Sequence, residues 1–128
     1  MTVQKNLVKN IYVGNGSTTQ FPITFDVNTG KIYRLKDLFK KNADYVSRLS
    51  AIVKRQIKEK DIPVIVDFEQ ISPDQDFYIE NGTLVLYFQL YELAPYAYGF
   101  PTFPIPTREI SDILKKGGPI TSSSQYLQ

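Results

Sequence analysis

The sequence predicts an α+β domain, an antiparallel sheet built from hairpins with one long amphipathic helix packed on one face. Three observations predict it. Tyr45, Val46, Leu49, Ile52, Val53 and Ile57 recur at spacings of three and four and form a single apolar stripe. Asn81-Gly82 stands between two strand-like runs in FYIENGTLVLYFQLYE, and this pair is preferred in a two-residue type I′ turn. The tetrad NTGK at Asn28 to Lys31 separates two further runs, with its glycine placed for a positive φ.

Taken in order, Leu7 to Val13 alternates and reads as a strand, and GNGSTTQ at Gly14 to Gln20 breaks the pattern with turn formers. PITFDV, Pro22 to Val27, is the next strand, with Ile23, Phe25 and Val27 on one face; a proline is tolerated at such a start. A short strand from Ile32 to Leu35 completes the hairpin, and LKDLFKKN makes a helical turn. The long helix takes Asn42 or Asp44 as its N-cap and ends at Asp61-Ile62-Pro63. Its opposite face carries Arg48, Lys54, Arg55, Lys58 and Lys60, which read as solvated side chains. VIVDF, Val64 to Phe68, is a strand candidate and ISPDQD a loop. Beyond the Asn81-Gly82 hairpin, Thr107 to Leu114 reads as a short helix capped by Thr107. The expected organisation is an N-terminal strand and turn over 1–20, the α+β domain over 21–115 and a flexible tail over 116–128.

Composition excludes several chemistries. The chain has no cysteine and no histidine, which removes disulfides, thiolate nucleophiles, histidine relays and the usual zinc ligands. No calcium-loop spacing occurs, and no cofactor or metal site is expected. No apolar run approaches the roughly 18 residues of a bilayer span, and no secretory leader pattern opens the sequence. Carboxylates are the remaining candidates for catalysis: Asp74 and Asp76 in the loop, Glu80 and Glu92 bracketing the hairpin. A pair such as Asp76 and Glu92 could serve a glycan hydrolase if the two faced each other at about 5–9 Å.

Charge is unevenly spread. From Asp61 to Thr107 there are seven acids and no base, a net −7, which leaves +9 for the rest of the chain. Either the halves neutralise each other across the fold, or the acidic stretch steers a basic partner. Within it, YFQLYELAPYAYGFPTFPIP holds seven of the seventeen aromatic residues and four of the eight prolines. Tyr87 and Phe88 are expected to divide between the faces of the strand, and Tyr91 to Phe103 to leave the sheet as a proline-stiffened loop. Such a loop loses little freedom on binding, and tyrosine supplies contact area at low entropic cost. The rings could equally form a lid over the end of the sheet. The candidate ligand-binding residues are Tyr91, Glu92, Pro95, Tyr96, Tyr98 and Phe100.

Three stretches carry a family pattern. Phe25, Asp26, Thr29, Gly30 and Lys31 give the first motif, and Leu35, Asp37, Leu38 and Phe39 the second. The third runs through Phe77, Tyr78, Gly82, Tyr87, Phe88, Tyr91, Glu92, Ala94, Pro95, Tyr96, Ala97 and Gly99. Together they resemble the domain of unknown function found in the extracytoplasmic part of sigma-V-type anti-sigma factors, which act as lysozyme receptors, and beside some peptidoglycan deacetylase domains. The resemblance implies a non-catalytic, extracytoplasmic recognition or sensor domain of a bacterial envelope protein. Its partner would be a lysozyme-like protein or a cell-wall glycan, and any membrane attachment would come from anchor segments outside this chain. Nucleic acid is not an expected partner, because the aromatics lie away from the bases. A carboxylate-dependent enzyme acting on peptidoglycan is the alternative.

Overall fold

Turn chemistry sets the register of the first sheet. The computed structural model describes residues 8–13, 21–65, 67–89, 92–94 and 101–120. Strands β1 (Val8–Val13), β2 (Phe21–Asp26) and β3 (Ile32–Tyr33) lie side by side and antiparallel in that order. Thr24 faces Tyr33 and Phe25 faces Ile32. Gly30 sits at φ +77°, as the tetrad predicted, and its amide bonds the Asp26 carbonyl at 2.8 Å. The faces of β2 are less simple than its alternation. Thr24 and Asp26 are the buried positions, at 2% and 6% exposure, whereas Ile23 and Phe25 are half-buried and Val27 is exposed. Asp26 tolerates burial because its Oδ1 accepts the amides of Asn28 at 2.7 Å and Thr29 at 3.0 Å.

A 3-10 turn over Leu35–Leu38 then buries both of its leucines. Helix α1 (Tyr45–Glu59) follows, capped by the Asp44 carboxylate, which accepts the Ser47 amide at 3.1 Å. It stops where Asp61 takes φ +52°, just before Pro63.

The second sheet is β4 (Phe77–Glu80), β5 (Thr83–Tyr87) and β6 (Thr102–Pro104), again antiparallel in order. Glu80 pairs with Thr83, leaving Asn81 and Gly82 as a two-residue turn with φ +53° and +76°, the two positive values of type I′. The stripe of α1 packs on this sheet: Leu49, Ile52 and Val53 share one core with Phe77, Ile79, Leu84, Leu86, Phe88 and Phe103. The α+β class holds, with the strands divided between two small sheets; β4 lies against β1 and β2.

Five local expectations change. Residues 102–104, expected to lie in the loop and its exit, form an edge strand of the sheet. Leu86 faces Phe103 and Val85 faces Pro104. The Pro101 carbonyl and the Ile105 amide turn inward to Phe88 and Leu84, so Pro104 points its missing amide away from the sheet. Its outward carbonyl accepts Gln56 Nε2 at 2.7 Å, and Gln56 is itself buried on α1.

The described residues of Val64 to Phe68 are not in a strand. Pro63 has no amide, the Ile65 amide bonds the Leu93 carbonyl at 2.8 Å, and Val64 and Ile65 are 38% and 50% exposed.

The helix expected over Thr107 to Leu114 shrinks to a 3-10 turn at Thr107–Glu109, with Pro106 and not Thr107 at its N-cap. Further on, Lys115 bonds the Leu38 carbonyl and Leu114 bridges to Phe39, which pulls the chain out of helical form. Ile120, in the stretch expected to be tail, is buried in the core.

Nor is the basic face of α1 all solvated. Arg48 grips Asp112 at 2.8 and 3.1 Å, and Arg55 grips Glu109 twice at 2.9 Å. These two-point contacts hold both carboxyls below their usual range. Their contribution is therefore present above the ordinary carboxyl pKa and is lost as pH falls through the lowered values.

Candidate functional site

Both feet of the aromatic segment are fixed in the core. Tyr87 ends β5 opposite Thr102, and the Phe88 amide bonds the Pro101 carbonyl at 3.1 Å, so the chain leaves and returns at the same rung. On the outgoing side Leu93 and Ala94 are buried, and Leu93 is tied to Ile65. Phe88 stands edge-on between Phe68 and Phe103, with centroids at 6.0 and 5.6 Å and interplanar angles near perpendicular. Tyr87 and Phe88 are both buried. Phe88 joins the main core, and Tyr87 lies against Tyr78, 6.0 Å away. Of the candidate binding residues, Tyr91, Pro95, Tyr96, Tyr98 and Phe100 lie outside the described residues, as does the turn 14–20.

Glu92 is exposed, and it closes a small turn: its Oε1 accepts the Gln89 amide at 2.8 Å while its own amide bonds the Gln89 carbonyl at 3.0 Å. The side chain of the same glutamine donates from Nε2 to Asp76 Oδ2 at 2.7 Å. Gln89 thus bonds both members of the carboxylate pair singled out from the sequence. Asp76 is half-buried, and desolvation pushes its carboxyl above the usual range against the opposing pull of the Gln89 hydrogen bond. The remaining acids are placed elsewhere. Asp74 is exposed and meets Arg34 at 3.6 Å. Glu80 lies at the Asn81-Gly82 end of the hairpin, roughly 15–20 Å along the strands from Glu92 at about 3.3 Å per residue, too far for a joint reaction. Among the described residues no three acids converge as a metal site.

Two hydrogen-bonding glutamines, Gln75 buried and Gln89 half-buried, escaped sequence reasoning. Gln75 donates from Nε2 to the Tyr87 carbonyl at 2.7 Å and accepts the Ser72 amide at 3.3 Å, which ties the 72–76 loop to the end of β5. Gln89 does the same work one step further along the chain. No periodicity marks a glutamine as a structural hydrogen-bonding partner, so the sequence carried no signal for either.

The raised Asp76 pKa has a measurable sign. The folded state holds that proton more tightly than the unfolded chain, so Asp76 lowers stability as pH rises from the ordinary carboxyl value through the raised one. Asp76→Asn, whose amide oxygen still accepts from Gln89, is expected to be more stable than wild type at pH 7. The difference should vanish below about pH 3, where both carry a neutral group. Urea melts across this range test it, and a variant less stable at pH 7 contradicts it.

Charge separation persists in the fold. One of the four ion pairs among the described residues, Arg34 with Asp74, joins the acidic 61–107 stretch to the rest of the chain. Among the described residues, most acids of that stretch therefore form no ion pair, which leaves its negative field available. No helix among the described residues is long and apolar enough to cross a membrane.

Comparison with known proteins gives this architecture relatives. The chain is 38% identical over 104 residues to the anti-sigma-V factor RsiV of Bacillus subtilis, covering 72% of this chain and 36% of that protein. It is 29% identical over 114 residues to the Bacillus subtilis peptidoglycan-N-acetylmuramic acid deacetylase PdaC, covering 82% of this chain and 24% of the relative. The chain thus spans about a third and a quarter of these two proteins. Two solved structures share the fold. One is a DUF3298 protein from Pseudomonas aeruginosa PAO1, with TM-score 0.57 and 19% identity, covering 85% of this chain and 54% of that one. The other comes from Bacteroides fragilis, with TM-score 0.53 and 18% identity, covering 85% and 47%. The model of the family described as protein of unknown function (DUF3298) matches residues 36–108, from the 3-10 turn through α1 and the second sheet. The chain belongs to the DUF3298 family.

Proposed function

We propose that this chain is a non-catalytic, extracytoplasmic recognition or sensor domain of a bacterial envelope protein, and that residues 91–100 with Glu92 are its contact surface for a lysozyme-like protein. Attachment to the envelope would come from segments beyond this chain. The observation that carries the reading is the pinning of both feet of a tyrosine- and proline-rich segment in the core, inside a stretch whose acids are mostly unpaired. A segment held in this way presents its rings at low entropic cost, and its field favours a basic protein over a neutral sugar. Similarity to an anti-sigma factor agrees with a sensing role. A cell-wall glycan stacked on the tyrosines is the other ligand to test.

The test is titration with a basic muramidase and, separately, with peptidoglycan fragments, comparing wild type with Tyr96→Ala/Tyr98→Ala. Loss of anchoring tyrosines should weaken protein binding by about 2 kcal/mol or more, some thirtyfold. Added salt should weaken a steered protein complex and leave sugar stacking almost unchanged. Unaltered binding with an unaltered melting temperature removes the loop from the site. Normal binding with a melting temperature several degrees lower makes the tyrosines a lid.

One observation favours a second reading, a carboxylate enzyme acting on peptidoglycan. Asp76, with its raised pKa, and Glu92 both bond Gln89, and a peptidoglycan deacetylase is among the relatives. Turnover of peptidoglycan that Asp76→Asn or Glu92→Gln abolishes would replace the recognition reading with this one.

A further inference from the structure

We propose that a second docking surface takes a short acidic peptide segment anchored by apolar side chains. The surface is a groove of about 530 Å³ between the C-terminal half of α1 and the segment after it. That volume falls within the roughly 300–1,000 Å³ of ordinary ligand pockets. Ile57, Val64 and Phe68 supply its apolar walls, and Lys54 and Lys58 stand on its rim with Asp67.

Three features make it a site in search of a partner. The first is exposed apolar surface. Val64, which lines the groove, is 38% exposed, one of the four large hydrophobics left open among the described residues. The second is charge. Lys54 and Lys58 lie four apart on one helical face, where like charges repel, and neither has an acidic partner among the described residues. Arg55, between them in sequence, is already engaged by Glu109 and Glu59. The third is rigidity. On the outer side the Ile65 amide bonds the Leu93 carbonyl and Phe68 packs edge-on against Phe88, which ties these two residues to the core.

The occupant follows from these features. Apolar floor and unpaired cationic rim complement a segment that presents leucine-like side chains downward and carboxylates outward. Concavity favours a peptide over a lipid surface, because insertion into a bilayer calls for protruding apolar side chains and a uniformly basic surround, and Asp67 sits on this rim.

The test uses the full chain labelled with ¹⁵N and an acetylated hexapeptide alternating glutamate and leucine; a second hexapeptide has lysine in place of each glutamate. The acidic peptide should shift the amides of Ile57, Val64 and Phe68 saturably, and the basic one should not. Lys54→Glu/Lys58→Glu alters only exposed positions and should weaken binding at least about tenfold with an unchanged melting curve. Val64→Ser should weaken it while the charges remain. Raising the salt to about 0.5 M should weaken it too. Equal binding of both peptides, no response to the charge reversal, or shifts confined to other residues overturns the proposal. So does binding to vesicles of phosphatidylglycerol and phosphatidylcholine with none to the acidic peptide, which would make the groove a lipid contact.

Discussion

Phe103→Ala is expected to cost about 3–5 kcal/mol of folding stability. The side chain is fully buried, at 0% exposure, and packs edge-on against Phe88 with centroids 5.6 Å apart. It also stands on a three-residue edge strand whose neighbours Thr102 and Pro104 are exposed, so it is the one side chain that β6 sends into the core. A cavity here would loosen the returning foot of the aromatic segment together with the sheet. Against a typical total of about 5–15 kcal/mol, such a loss puts the fold close to its limit. Equilibrium denaturant melts measure it, and a cost under about 1 kcal/mol would mean that β6 does not sit where described.

Leu49→Ala should cost about 2–5 kcal/mol. Leu49 is fully buried at the centre of the α1 stripe, facing the hairpin strands. Burial of apolar surface at about 25 cal/mol per Å² makes this interface the main source of stability. Neighbouring Ser50 is also buried, yet its hydroxyl accepts the Ile71 amide at 2.9 Å, so Ser50→Ala would lose a hydrogen bond and open little space. The contrast between adjacent positions is itself a check. If Leu49→Ala cost well under 1 kcal/mol, the face assigned to the helix would be wrong.

Much of this fold was legible because its signals are local. The i, i+3, i+4 spacing of Leu49, Ile52 and Val53, the Asp44 cap, and the Asn81-Gly82 and Gly30 turns each carry their geometry within a few residues. What failed was long-range. Prolines at 95, 101 and 104 argued for a loop, and nothing near them says that alternate backbone groups meet β5 while Pro104 faces outward. VIVDF had strand composition and no partner strand among the described residues. Arg48 and Arg55 looked like solvent-facing cations until the fold brought Asp112 and Glu109 to them. For the candidate site, composition pointed to the aromatic segment and to Asp76 and Glu92. The residue that bonds both carboxylates, Gln89, was invisible, because hydrogen-bonding glutamines leave no pattern in sequence.

The closure of the β6 edge has a colloidal consequence. The outer strand of a sheet ordinarily offers a row of free amides and carbonyls on which another molecule's strand can grow. Pro104 and Pro106 have no amide to offer, and the carbonyl of Pro104 is taken by Gln56. An incoming strand therefore finds no amide to pair with at positions 104 and 106. Pro104 thereby also guards this edge against sheet-to-sheet aggregation.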